Sequence, residues 1–177
     1  METIILGGGC FWCLEAVFDQ IRGVSSVESG YMGGRVPHPS YREVCSGATG
    51  HAEVIRVAYD PAQVSIDDLL DVFFAIHDPT TPDRQGNDIG SQSRSAIFYS
   101  TEAQRDAAQA KIQTLDSARV WPDPIVTQLT PTGDFWIAED YHQEYFAHNG
   151  NQPYCAFVVA PKVTKFQKLF ARLRKSA

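Results

Sequence analysis

Three glycines end the first apolar run of this chain and hand it to a cysteine, in Ile4-Ile5-Leu6-Gly7-Gly8-Gly9-Cys10. The apolar triplet reads as a buried strand, and the glycines read as a tight turn. From Phe11 the period changes. Phe11, Leu14, Val17, Phe18 and Ile21 recur at three- and four-residue steps, while Glu15, Asp19 and Gln20 fall elsewhere. That spacing predicts an amphipathic helix that stops near Gly23. Cys10 therefore stands where a strand turns into a helix. Unsatisfied backbone N–H groups and the helix dipole converge there, and both favour a thiolate. The glycines let a substrate approach the backbone closely. Phe11 and Trp12 come next, one ring able to anchor the helix in the core and the other to line a pocket beside the sulfur. On these local features Cys10 is a nucleophile, or else a structural thiol among core aromatics.

The chain has four cysteines, Cys10, Cys13, Cys45 and Cys155. The Cys10-x-x-Cys13 spacing puts two sulfurs near one helix end, where a disulfide can close. Structural zinc sites with four cysteines come as two close pairs. Only Cys10 and Cys13 are close, so no metal is expected. His51, His77 and His142 are scattered and read as structural hydrogen-bonding groups. Cys45 reads as a buried thiol.

Further along, His51 to Tyr59 alternates as a strand, with Glu53 in phase with Ile55, Val57 and Tyr59. A carboxyl on an apolar face resists ionisation and can act as a proton donor; a carboxyl at the strand's start can also simply face water. Tyr31 to Tyr41 carries glycines, prolines and serine and reads as a loop. Ser65-Ile66-Asp67-Asp68 resembles a capping box that opens an apolar helix through Ile76. His77 to Ser93 is polar and aperiodic. Ala96–Tyr99 is an expected strand, and Thr101–Gln104 caps an expected helix. Strands are expected at Ile125–Leu129 and Phe157–Val159, and a helix at Glu139–Phe146. A basic helix closes the chain over 161–177. Strands alternate with helices, so the fold class is α/β or α+β. With 177 residues, one domain over 1–177 is expected.

Charge and composition exclude several classes. The net charge is −6, which argues against a nucleic-acid partner. No apolar run is long enough to span a membrane, and the start lacks a signal-peptide pattern. A cytoplasmic location is the expectation, where disulfides are transient rather than structural. No segment demands a partner copy, so a monomer is expected.

Gly9-Cys10-Phe11-Trp12 resembles the active-site signature of the A-type methionine sulfoxide reductases. Tyr31-Met32-Gly33-Gly34, Tyr41-Arg42-Glu43-Val44-Cys45, Thr49-Gly50-His51-Ala52-Glu53-Val54, His77-Asp78-Pro79-Thr80, Gln85-Gly86-Asn87-Asp88 and Ala138-Glu139-Asp140-Tyr141-His142-Gln143 follow in family order. The resemblance covers residues 4 to about 157. It implies reduction of the S epimer of methionine sulfoxide, free or in proteins, as repair of oxidative damage. It also implies a mixed sheet around a ferredoxin-like core, thioredoxin or another dithiol as reductant, and no bound cofactor.

The resemblance assigns roles as well. Cys10 attacks the sulfoxide sulfur and is left as a sulfenic acid. Glu53 donates a proton to the oxygen, Tyr41 hydrogen-bonds it, and Asp88 shapes the polar side of the pocket. Phe11 and Trp12 form the apolar wall for the substrate methyl group. Cys155 is the principal resolving thiol, with Cys13 able to resolve directly or to relay a disulfide onward. The sequence departs from the family pattern once: Gln92-Ser93-Arg94-Ser95 has serine where the family has an oxygen-binding tyrosine. Two rivals remain on sequence grounds. A general dithiol oxidoreductase would use Cys10 and Cys13 without Glu53. A binding module for methionine-containing segments would keep its affinity after Cys10→Ser and show no turnover.

Overall fold

A computed structural model describes residues 1–175; positions 176 and 177, the end of the expected domain and basic helix, lie outside the described residues. Strand β1 (Glu2–Gly8) leads into helix α1 (Phe11–Phe18), then β2 (Val24–Met32), α2 (Tyr41–Cys45), β3 (Ala52–Tyr59) and α3 (Ile66–Ala75). A short hairpin of β4 (Arg84–Gln85) and β5 (Asp88–Ile89) precedes β6 (Ser95–Tyr99) and α4 (Glu102–Ser117). The chain ends with β7 (Gln128–Pro131), β8 (Trp136–Ile137), α5 (Tyr145–Asn149) and α6 (Ala160–Leu169).

Six strands form one sheet in the order β7-β6-β1-β3-β2-β8. β6 and β7 are parallel and the other neighbours antiparallel, so the sheet is mixed. The central order β6-β1-β3-β2, with α1 and α3 as crossovers, is the ferredoxin-like arrangement. Side chains alternate across the sheet. Ile4 and Leu6 of β1 join Ile55, Val57 and Tyr59 of β3 in the main core, with Phe11, Leu14 and Phe18 of α1 and Leu70 and Phe73 of α3. Ile5, Val54, Met32 and Phe98 form a smaller cluster on the other face. Each such burial contributes about 1.5–3 kcal/mol. Glu53 is in phase with Ile55, so the helix-covered face carries it.

Local signals explain most elements. Ser65 accepts from the Asp68 backbone N–H at 3.0 Å, and Thr101 from that of Gln104 at 3.1 Å, which starts α3 and α4 at the expected serine and threonine. β1 runs through Gly7 and Gly8, which pair with Ala96 and Ser95. The turn is confined to Gly9, at φ +92°. A Cβ on Gly8 would sit 3.1 Å from the His77 ring, so the glycine lets the strand lie against that histidine.

Several expected elements are corrected. β2 was not legible as a strand, and Tyr31 and Met32 belong to it rather than to a loop. A bulge between Val24 and Ser26 shifts its register and breaks the alternation. Tyr41 opens α2, started by a full capping box between Ser40 and Glu43. The strand expected at Ile125–Leu129 lies at Gln128–Pro131. The helix expected over Glu139–Phe146 is interrupted: a 3-10 turn at Asp140–His142 is followed by Glu144 at φ +53° and then α5. The Gln143 side chain pulls the chain onto β2, accepting from Ser29 N at 2.9 Å and donating to Ser29 O at 3.0 Å. Phe157–Val159 is not a strand. It lies in a wide helical turn, Cys155–Val159, that runs into α6. Val159 is buried in the core and Phe157 points outward at 80% exposure, so tertiary packing overrides the β preference of the two valines.

Candidate active site

The site lies at the start of α1, where Cys10 is the N-cap residue. Gly9 is required there by its positive φ, and a Cβ on it would meet the Gln85 side chain at 2.8 Å. Gln85 is itself fixed to the Asp78 backbone, accepting from its N–H at 3.0 Å and donating to its carbonyl. Cys10 is partly exposed, and Cys13 is buried one turn on. The two thiols lie close enough to influence each other's ionisation. Burial pushes the Cys10 thiol well above its usual range; its neighbour Cys13 and the Glu53 charge add to this, and the Trp12 N–H opposes it. The expected resting thiolate is therefore corrected to a thiol. One amide and a two-turn helix do not offset desolvation beside a carboxyl.

Glu53 is 5% exposed. Its Oε1 accepts from the Phe11 backbone N–H at 3.4 Å. Burial pushes its carboxyl from 4.5 up to about 8; the Phe11 N–H opposes this, and the charges of Asp88 and Cys13 reinforce it. Glu53 is thus an acid that keeps its proton at neutral pH, and it does not face water.

Cys10, Glu53, Tyr41 and Trp12 line one cavity of about 350 Å³, with Asp88, Ser93, Gln92, Cys45 and Tyr154 among its other walls. An adjoining cavity of about 480 Å³ shares Cys10, Asp88 and Tyr154 and continues toward His77 and Lys162. Phe11 is fully buried behind this wall, its ring 6.2 Å from that of Tyr41 and 5.7 Å from that of Tyr31. Of the two aromatic rings, Trp12 faces the cavity and Phe11 anchors the helix. Trp12 stacks on Tyr145 at 3.8 Å, and its Nε1–H donates to His142 Nδ1 at 3.0 Å. Tyr41 is held through its backbone N–H, which donates to Glu139 Oε2 at 3.0 Å, while Glu139 Oε1 accepts from the Tyr31 hydroxyl at 2.8 Å. Asp88 opens β5, and its Oδ2 accepts from the Tyr154 hydroxyl at 2.8 Å.

A sequence profile described as peptide methionine sulfoxide reductase matches residues 2–174. The chain belongs to the peptide methionine sulfoxide reductase family. Its relatives include the peptide methionine sulfoxide reductase MsrA of Trichodesmium erythraeum, 51% identical over 96% of each chain. The MsrA of Chromobacterium violaceum is 53% identical over 98% of each. Among solved structures, methionine sulfoxide reductase A of Corynebacterium diphtheriae is 39% identical with a TM-score of 0.74, over 84% of this chain and 74% of that one. Mxr1 of Saccharomyces cerevisiae in complex with Trx2 is 27% identical with a TM-score of 0.54, over 81% and 84%. As a peptide methionine sulfoxide reductase the protein is an oxidoreductase that reduces methionine sulfoxide.

The other cysteines are placed unevenly around this reductase site. Cys45 is exposed, not buried as expected, because it ends the short α2. Cys155 is fully buried in the turn before α6 and electrostatically close to Cys13. His51 bridges Gly34 N and Val36 O, and His77 bridges Phe73 O and the Ser95 hydroxyl, in the structural roles expected of them. Among the described residues no cluster of His, Cys, Asp and Glu could hold a metal, and no helix is long and apolar enough to cross a membrane. His142 accepts from Trp12, also in the structural role expected of it, whereas the sequence pointed to no role for Tyr154 or Glu139. Glu139 lies inside a quoted motif; Tyr154 adjoins Cys155, which is its only signal.

Proposed function

We propose that this reductase takes the S epimer of methionine sulfoxide, in proteins or free, with Cys10 as nucleophile and Glu53 as acid. The observation that carries the reading is one cavity that brings together a partly exposed cysteine, a carboxylic acid protonated at neutral pH, and a tryptophan wall. The substrate methyl group lies against Trp12, backed by Phe11, and the oxide points at Glu53 and Tyr41. Asp88 borders the polar side.

Cys10 sulfur attacks the sulfoxide sulfur while Glu53 gives its proton to the oxygen. The sulfur–oxygen bond of the substrate and the transient bond between the two sulfurs then break as the oxygen passes to Cys10. Two electrons move from the cysteine sulfur to the methionine sulfur, and the thiol proton of Cys10 returns to Glu53. The products are methionine and a Cys10 sulfenic acid. Attack by a second thiol then forms a disulfide and releases water. The expected principal resolving thiol is Cys155; the position of Cys13 one turn from Cys10 and close to the buried Cys155 supports instead a relay, with Cys13 the first to attack and Cys155 taking the disulfide next. A dithiol protein of the thioredoxin type restores the thiols, as the complex of Mxr1 with Trx2 suggests by analogy.

A Glu53→Gln variant tests the reading against general dithiol exchange. Sulfoxide reduction falls sharply while reduction of a model disulfide persists. Equal loss of both activities would overturn the acid role.

A further inference from the structure

The cavity that runs from Cys10 toward His77 does not end there. It meets a groove of about 630 Å³ between α3, α4 and α6, and His77, Asp78 and Lys162 line both. The two form one channel that leads away from the nucleophile. Phe74, Leu115, Val120, Trp121 and Leu169 make the groove mostly apolar. Val120 and Leu169 are 56% and 60% exposed, an uncovered apolar surface. The Val120–Trp121 side is held in place: Arg119 at φ +51° turns the chain after α4, and the Val120 N–H donates to Leu115 O at 3.2 Å.

The charge left to offer a ligand is positive, in a chain of net charge −6. Asp71 pairs with Lys111 at 2.6 Å, and Asp78 accepts from the Thr80 N–H at 2.9 Å. His77 is neutral, since burial pulls its ionisation down to about 4. Lys165 donates to Ala75 O, and Lys162 forms no salt bridge among the described residues.

We infer that this groove is a subsite for the polypeptide around the oxidised methionine, taking a large apolar side chain and a neighbouring carboxylate on one side of the sulfoxide. This deepens the reading of Cys10 given above and rests on it. The neck at His77 is close to the nucleophile: a Cβ on Gly8, two residues before Cys10, would sit 3.1 Å from the His77 ring. An extended chain advances ~3.3 Å per residue, so a side chain roughly two to four residues from the sulfoxide reaches past that neck. There the apolar group covers Trp121 and Leu115, and the carboxylate meets Lys162. Large apolar neighbours are those that a folded protein buries, so the subsite favours unfolded substrates over folded ones.

The test uses the whole protein with dithiothreitol and end-blocked peptides carrying one methionine S-sulfoxide among glycines. Leucine, or leucine with glutamate or lysine beside it, is placed on each side in turn. Leucine on one side only is expected to raise kcat/KM by ~5- to 30-fold over glycine, the scale of burying one such side chain. Glutamate is expected to exceed lysine beside it by ~3- to 10-fold at low salt. Trp121→Ala should erase most of the leucine preference, and Lys162→Glu should invert the charge preference. Both readouts are ratios between peptides on one enzyme, which partial unfolding leaves unmoved. Equal kcat/KM for leucine and glycine peptides, or preferences unaltered in both variants, would overturn the inference. So would variants that change only the KM for thioredoxin, which would assign the groove to the reductant. No methionine from any peptide with the wild type would instead reject the proposed function itself.

Discussion

The backbone N–H of Phe11 points at Oε1 of Glu53 across 3.4 Å, joining the residue after the nucleophile to the buried acid. The contact favours the carboxylate, yet burial outweighs it and holds the carboxyl near 8. Glu53 can thus give its proton at neutral pH and, once ionised, keep one partner while it waits for the proton of Cys10. Replacing it with glutamine keeps the acceptor and removes the acid. Glu53→Gln is expected to slow single-turnover methionine formation by ~10²- to 10⁴-fold. A loss below about threefold would contradict general-acid catalysis.

The same carboxyl makes stability depend on pH, with a definite sign. Its ionisation is raised in the folded protein, so its contribution to stability is full below 4.5 and is lost as pH rises through about 8. Glu53→Gln has no charge to bury. Its melting temperature should therefore gain on that of the wild type between pH 5 and pH 9, by several degrees for a chain of this size. Glu15, raised to about 7 by burial, acts with the same sign in both proteins and cancels from the difference. A gap that stays constant across this range would show that Glu53 is not buried in its charged form.

Residues differ in how far the sequence disclosed them. Cys10 is legible because it sits where a short apolar run and its glycines give way to a 3.6-residue period, and Glu53 because it is in phase with an apolar strand face. The ferredoxin-like order β6-β1-β3-β2 came through resemblance, since β2 hides behind a bulge. The segment from Glu139 to Val159 was misread. Its local preferences are overruled by the Gln143 clasp on Ser29 and by the burial of Cys155 and Val159. Tyr154 enters the site only because that misread turn is helical and packs on α1. Glu15 shows the same limit: its helix position predicts solvent, but it is 3% exposed and accepts from the Ser29 hydroxyl at 2.9 Å.

The order of thiol exchange should be visible in the disulfides. After one equivalent of sulfoxide and rapid alkylation, peptide mapping is expected to find Cys10–Cys13 first and Cys13–Cys155 later. In Cys155→Ser the first bridge should form at the wild-type rate, while turnover with thioredoxin falls. A Cys10–Cys155 bridge appearing first would contradict this order.

Ser93 lines the cavity with a short side chain. Ser93→Tyr places a phenol in that wall. It should raise the single-turnover rate by ~2- to 10-fold, the worth of one hydrogen bond. Unchanged turnover and substrate affinity would show that residue 93 does not serve the substrate oxygen.

The most direct test of the account is a single turnover of the reduced protein with each separated epimer of a methionine sulfoxide peptide, beside Cys10→Ser. The account predicts methionine from the S epimer alone, with a sulfenic acid or its derived disulfide at Cys10, and none from the variant. Methionine from the R epimer, or retained turnover in Cys10→Ser, would contradict it.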